Sequence, residues 1–328
     1  MEDQMKHRVL IALSLNIGSL LLAPALMAQS SDIPRTEYGV PDFQGTYTYR
    51  TLTPLNRPAE LADKAVLTSE EAIEWQAFEN RRQNRDLIID SVGGAGYPPG
   101  VISYNNFWYE RGIETIADRR TSLIYDPPNG RIPPTNAAGQ KRRAETSEIR
   151  RLSIGPEART LADRCLQMGG LPMTSGAYNN NMQLIQTKDH IVIVNEMIHR
   201  ARIIRIDSEH HTRQLKWEGD SIAHWEGDTL VIHTQHFYQA QNGRGSSASM
   251  QLEERLTRID ENTLDYDFTM EDPLTWDVSW SARLPMRRIE DPLFEYACHE
   301  GNHGLPGILA GWRRYESMGM NGDGTPKE

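Results

Sequence analysis

The stretch TLDYDFTME, residues 263–271, alternates without a break: Leu264, Tyr266, Phe268 and Met270 fall on one side of an extended chain, and Asp265, Asp267, Thr269 and Glu271 on the other. A strand of this kind buries one face and wets the other, as in an antiparallel sheet around a core. Working outward, similar runs recur at short spacing: Gln183–Thr187, His190–Met197, Ala201–Asp207, Ser221–Trp225, Thr229–Gln235, Met250–Ile259 and Trp276–Met286. Turn residues separate them, with Glu226–Asp228 and Asp260–Asn262 suited to tight hairpins. The ladder predicts a mainly β chain, a lipocalin-like antiparallel barrel or meander whose mouth is the natural ligand site.

The preceding part of the chain supplies helical and loop additions. Phe43–Arg50 reads as a first strand, and a helix capped by Thr68 or Ser69 runs to about Arg85, with Glu70 and Glu71 in its first turn. A Gly/Pro loop over 93–100 leads into SYNNFWYERG, residues 103–112, which has no clean period. Thr121–Asp126 is a short strand stopped by Pro127 and Pro128, and Lys141–Arg151 is helical. A second Gly/Pro loop delivers AYNNN, residues 177–181, where Asn180 and Asn181 tolerate left-handed backbone angles. One β-rich domain over 29–328 is expected, with a helix- and loop-rich part, 29–182, and a meander, 183–328.

Val9–Ala28 is apolar, follows Lys6, His7 and Arg8, and ends in small residues, the pattern of a secretory signal peptide over 1–28. Cleavage is placed at Ala28, with Ala25 as second choice. Asn16 and Gly18 break the apolar run, which falls short of the ~20 residues of a membrane span. No later stretch is long and apolar enough to cross a membrane, so the expected location is the periplasm or outside the cell. The formal net charge of -10 argues against nucleic acid as a partner. The basic clusters Lys141–Arg143 and Arg150–Arg151 read as solvated helix faces. Cys165 and Cys298, the two cysteines of the chain, are most simply a disulfide in an oxidising compartment, the alternative being a thiolate nucleophile.

YNNFW at 104–108, RTSLIYDPPNGRIPP at 120–134, AYNNN at 177–181, HWEGDTLVI at 224–232 and YACHEGN at 296–302 together resemble a large, functionally uncharacterised group of exported bacterial proteins. The resemblance covers most of the chain after the leader. It implies export and one continuous domain, and it brings no activity with it.

Three sets of residues carry chemistry. HEGNH, residues 299–303, matches the H-E-x-x-H pattern, in which a helix sets two imidazoles on a zinc ion while the Glu activates water. Gly301, Asn302, Gly304, Pro306 and Gly307 oppose the helix that the pattern needs. Without metal, His299 and Glu300 remain a candidate acid/base pair at the barrel rim, with loop closure as the structural alternative. In NEMIHRARIIR, residues 195–205, a hairpin turn presents Glu196, His199, Arg200 and Arg202. These residues suit an anionic or polyhydroxylated ligand, or form cross-strand charge pairs on a wet face. The Asn-aromatic loops, with Tyr104, Asn105, Asn106, Trp108, Tyr178, Asn179, Asn180 and Asn181, suit a sugar, whose rings stack on aromatics and whose hydroxyls bond amides; the same residues also form turns.

The leading expectation is an exported enzyme of lyase, isomerase or hydrolase type. It would perform acid/base chemistry on a small polar or carbohydrate-like molecule with His299, Glu300, His199, Tyr178 and Tyr104. Asn105, Asn106, Trp108, Asn179, Asn180, Asn181, Arg200, Glu196 and Asn302 would bind the ligand. No cofactor is expected for it. A periplasmic ligand-binding protein of the same fold is the first alternative, and a zinc enzyme using His299, Glu300 and His303 the second. The chain lacks a G-x-S-x-G nucleophile elbow, a phosphate loop and a dinucleotide glycine fingerprint. GRGSS, residues 243–247, reads as a flexible surface loop.

Overall fold

The alternating runs pair edge to edge into a closed wall. In the computed structural model, which describes residues 33–87, 105–152, 155–168, 171–238 and 245–327, the strands are β1 (Gly45–Thr48), β2 (Ile124–Asp126), β3 (Asn181–Gln186), β4 (His190–Asn195), β5 (Ala201–Ile206), β6 (Asp220–Glu226), β7 (Thr229–Gln235), β8 (Gln251–Arg258), β9 (Thr263–Glu271) and β10 (Trp280–Ile289). The order is β1-β3-β4-β5-β6-β7-β8-β9-β10, and β1 pairs with β10 to close the barrel, while β2 pairs with Ser281 and Ala282 of β10, on the edge that β1 uses at Arg287–Ile289. The helices are α1 (Ser69–Gln83), α2 (Ala137–Leu152) and α3 (Gly304–Ser317). Because β1 sits between β3 and β10, the first part of the chain completes the wall built by the second. The expected leader, 1–28, lies outside the described residues, as do Tyr104 and Gly243. Among the described residues no helix is long and apolar enough to cross a membrane.

The all-antiparallel expectation fails at one seam. β5 and β6 run parallel, Ile204 opposite Ser221 and Ile206 opposite Ala223, so the barrel is mixed. Parallel neighbours need a long crossover, here residues 207–219, and a buried carboxylate ties that crossover down. Asp220 accepts two bonds from Arg205 (3.2 and 2.9 Å), one from Lys216 Nζ (2.6 Å) and one from the Thr212 amide (2.8 Å). Burial alone would raise its pKa; the bonds from Arg205, Lys216 and Thr212 outweigh burial and hold the carboxyl well below the usual range. A folded-state pKa below the unfolded one gives stability that is complete above the unfolded value, 3.8, and is lost as pH falls through the folded value. Asp220→Asn is therefore expected to cost about 1.5–3 kcal/mol near neutrality. In urea titrations the gap to the native protein should narrow as the pH drops below the unfolded value, and a gap independent of pH would refute the assignment.

Alternation decides what fills the barrel. Leu184, Ile204, Leu256, Tyr266 and Trp280 point inward and expose between 0% and 1% of their surface, so none of them borders a space that a water molecule enters. One layer of the core is polar: Arg202 donates to Glu254 at 2.5 and 3.0 Å, and the Tyr266 hydroxyl donates to the same carboxylate at 2.8 Å. Arg202 thus belongs to the core and not to a ligand surface. Leu171 and Met173 belong to the same buried core, and the Met173 amide donates to the Tyr266 hydroxyl at 3.3 Å, so chain from outside the strands also fills the interior. Arg258 donates to the Tyr47 hydroxyl at 3.1 Å and to the Asp42 carbonyl.

Two local readings are corrected. The glycines and proline after His303 do not prevent a helix, since α3 begins at Gly304. Pro306 lies in the first turn, where the missing N–H has no intrahelical partner to lose, and the helix is anchored by buried Trp312, over which the Arg159 guanidinium lies at 5.3 Å. The described part of 243–247 is not a surface loop: Ser246 and Ser247 are buried, and Ser247 donates to Asp272 through its amide (2.5 Å) and hydroxyl (2.6 Å). α1 begins as its sequence dictates, with a reciprocal capping box between Thr68 and Glu71. Cys165 and Cys298 form the disulfide, 133 residues apart in sequence. In the chain-entropy picture a loop of that size stabilises by roughly 4–5 kcal/mol.

Candidate functional site

At the end of the barrel where β3 begins and β4 ends, four segments meet: 105–112, 176–181, the turn after β4 at 196–200, and 294–302. The first two are joined through Asn180, whose amide donates to the Glu110 and Gly176 carbonyls (3.0 and 3.2 Å) and accepts from the Gly176 amide (2.6 Å). Asn179, and not Asn180 or Asn181, takes the left-handed conformation, at φ 54°. The third is joined to the fourth where the Tyr296 amide donates to His199 Nδ1 (3.3 Å) and the Phe294 amide to Glu196 Oε1 (3.4 Å). Ile198 and His199 both have positive φ, 63° and 32°. For a β-branched residue this costs on the order of 1–3 kcal/mol, strain of the sort that gathers at functional turns.

Between these segments runs a cleft of about 340 Å³ lined by Trp108, Tyr109, Glu110, Tyr178, Asn179 and Tyr296. Tyr296 is shared with a neighbouring compartment of about 390 Å³ beside the disulfide, which Asn302 also lines. Tyr109 and Glu110 are shared with one of about 720 Å³ that reaches Arg50, Arg111 and Arg287. The three adjoin through these shared residues and are taken together as the groove. Phe107, 73% exposed, packs on Trp108 at a ring separation of 4.7 Å.

Glu110 is the carboxylate of the aromatic cleft; Glu114 lines the largest of the three compartments, and Asp163 and Glu295 line the one beside the disulfide. Arg50 donates to it at 2.9 Å, and Asn181 Nδ2 reaches it at 3.4 Å while donating to Glu196 Oε2 at 2.9 Å. One amide therefore sits between a half-exposed and a buried carboxylate. Burial pushes the Glu196 carboxyl up, Glu110 adds to the rise, and the bonds from Phe294 and Asn181 offset only part of it. Tyr49, buried beside them, is pushed up to about 12, chiefly by burial.

The other expected residues divide clearly. Trp108, Tyr178 and Asn179 line the cleft. Asn105 and Asn106 hold their loop to Asp86 (3.2 and 2.9 Å), and Asn106 also accepts from Arg111 at 3.1 Å. Asn302 ties the disulfide turn to the Asp163 carbonyl at 2.8 Å. Glu196 and Arg200 are not charge pairs on a wet face: Glu196 is buried, and Arg200, nearly so, faces Glu218 at 2.7 Å. His299 and Glu300 are exposed on a turn and line none of the three compartments. HEGNH is that turn and not a helix, with His303 preceding α3, so its two imidazoles do not sit one helical turn apart. Among the described residues no group of three or more metal-ligating side chains converges. Sequence reasoning missed Glu110, Arg50 and Tyr296. Glu110 stands two residues after Trp108 in the same polar-aromatic segment, and Tyr296 opens YACHEGN, so proximity to residues already singled out was the available signal. The chain matches no family model and no curated protein.

Proposed function

We propose that the groove binds a carbohydrate-like molecule and performs proton-transfer chemistry on it, with Glu110 as the base or acid. The observation that carries this reading is that Trp108, Tyr178, Tyr296 and Glu110 line one cleft. Aromatic faces stack on the C–H faces of sugar rings, while a carboxylate within the same walls reaches a ring proton or a bridging oxygen. Arg50 and Asn181 both donate to Glu110, and Asn181, bonded to both carboxylates, fixes the orientation of Glu110 as a positioning residue. The chemistry suits a lyase, isomerase or hydrolase without a covalent nucleophile. The rival carrier, with its ligand inside the barrel, is disfavoured by the filled interior; the signal-like leader and the disulfide support work outside the cytoplasm.

The test is incubation of the purified protein with neutral and uronate-containing oligosaccharides, with products read by mass spectrometry. Turnover that disappears in Glu110→Gln supports the reading. Turnover unaffected by that change, or the absence of both binding and turnover across the panel, rejects it.

A further inference from the structure

The groove is longer than one sugar ring and is not electrically uniform. The aromatic cleft shares Tyr109 and Glu110 with the compartment on one side and Tyr296 with the one beside the disulfide, whose lining carries Asp163 and Glu295 and no cationic residue, so an anionic chain seated in the cleft would extend away from the disulfide. The aromatic middle gives way to a compartment whose lining residues include Arg50, Arg111 and Arg287 against Glu110 and Glu114. This local excess of positive charge lies on a chain of net charge -10. Two of the guanidiniums are engaged. Arg50 pairs with Glu110, and Arg111 is held by the Gln83 carbonyl (2.6 Å) and Asn106 (3.1 Å). Arg287 is exposed, faces Thr48 across the β1–β10 ladder, and makes no side-chain hydrogen bond or ion pair among the described residues.

We infer that the groove takes an anionic oligosaccharide of several units, with a sugar ring stacked at Trp108, Tyr178 and Tyr296 and a carboxylate or sulfate of a neighbouring unit on Arg287. The inference rests on the carbohydrate reading above and adds the charge and length of the ligand. A planar guanidinium with unused donors meets a carboxylate or sulfate with charge-assisted bonds, whereas a neutral sugar offers it only hydroxyls.

The experiment is calorimetric titration of the full protein and of Arg287→Glu with tetragalacturonate, digalacturonate, a sulfated tetrasaccharide, a neutral tetrasaccharide and penta-glutamate. Arg287 is exposed, so the change leaves the fold intact, which circular dichroism checks. The native protein should bind at least one acidic tetrasaccharide about ten-fold or more tighter than the neutral one and tighter than the disaccharide, and Arg287→Glu should lose about ten-fold on the acidic ligand alone. Galacturonate as the preferred ligand names the carboxylate, and the sulfated sugar names the sulfate; either supports the inference. Equal affinity for neutral and acidic chains, or indifference to Arg287→Glu, overturns it and leaves the carbohydrate reading standing. Penta-glutamate binding as tightly as the best sugar overturns it in favour of an acidic peptide. Failure of every sugar to bind removes both.

Discussion

Glu110→Gln is expected to lower turnover by about 10²–10⁴-fold, the usual contribution of a positioned acid or base, while the unfolding midpoint stays within a degree or two of the native protein. The two halves of this result have separate causes. Gln keeps the size of the side chain and can still accept from Arg50 and Asn181, so the walls of the cleft are preserved, but it cannot exchange a proton. The ion pair it replaces is about one-third exposed on each side, and pairs of that kind contribute only about 0–1 kcal/mol. Steady-state kinetics beside thermal denaturation separates the two. A variant that folds and turns over at the native rate would remove Glu110 from the chemistry.

The second large effect is on stability. Arg202→Met should destabilise the barrel by about 3–5 kcal/mol, because it strands the Glu254 carboxylate in the core. Arg202 and Glu254 side chains are 3% and 0% exposed, and the Tyr266 hydroxyl alone cannot compensate a full negative charge. Burial and the Glu254 carboxylate already push the Tyr266 phenol well above its ordinary range. Adding Glu254→Gln removes the charge and keeps an acceptor for Tyr266, so Arg202→Met/Glu254→Gln should recover a large part of the loss. A double variant as unstable as the sum of the two single ones would show that the layer is held by packing and not by charge.

The barrel was legible because period-two alternation survives in a wall with one dry face. β7 and β9 begin and end where the pattern does, at Thr229–Gln235 and Thr263–Glu271. The parallel β5–β6 seam was not legible, since alternation is the same in either direction and the fastening residue, Asp220, reads as an ordinary polar strand end. α3 was hidden by its glycines and Pro306, whose local cost is outweighed by the packing of Trp312. The candidate site was legible in part. Trp108, Tyr178 and Asn179 announced themselves by type, and all line one cleft. His299 and Glu300 were singled out by a pentapeptide pattern whose geometry depends on a helix that begins only at Gly304. Glu110 was passed over because a single Glu in an irregular segment has no period or partner to mark it, and Arg50 and Asn181 reach it from 60 and 71 residues away.

The claim on which the account turns is that ligand meets the outer groove and leaves the barrel interior alone. Titration of isotopically labelled protein with tetragalacturonate, followed by amide and methyl chemical shifts, addresses it directly. The account predicts shifts clustered in 105–112, 177–181, 196–200 and 294–302, with the methyls of Leu184, Ile204 and Leu256 unmoved. Shifts centred on those interior methyls, or confined to the turn of His299 and Glu300, would contradict it.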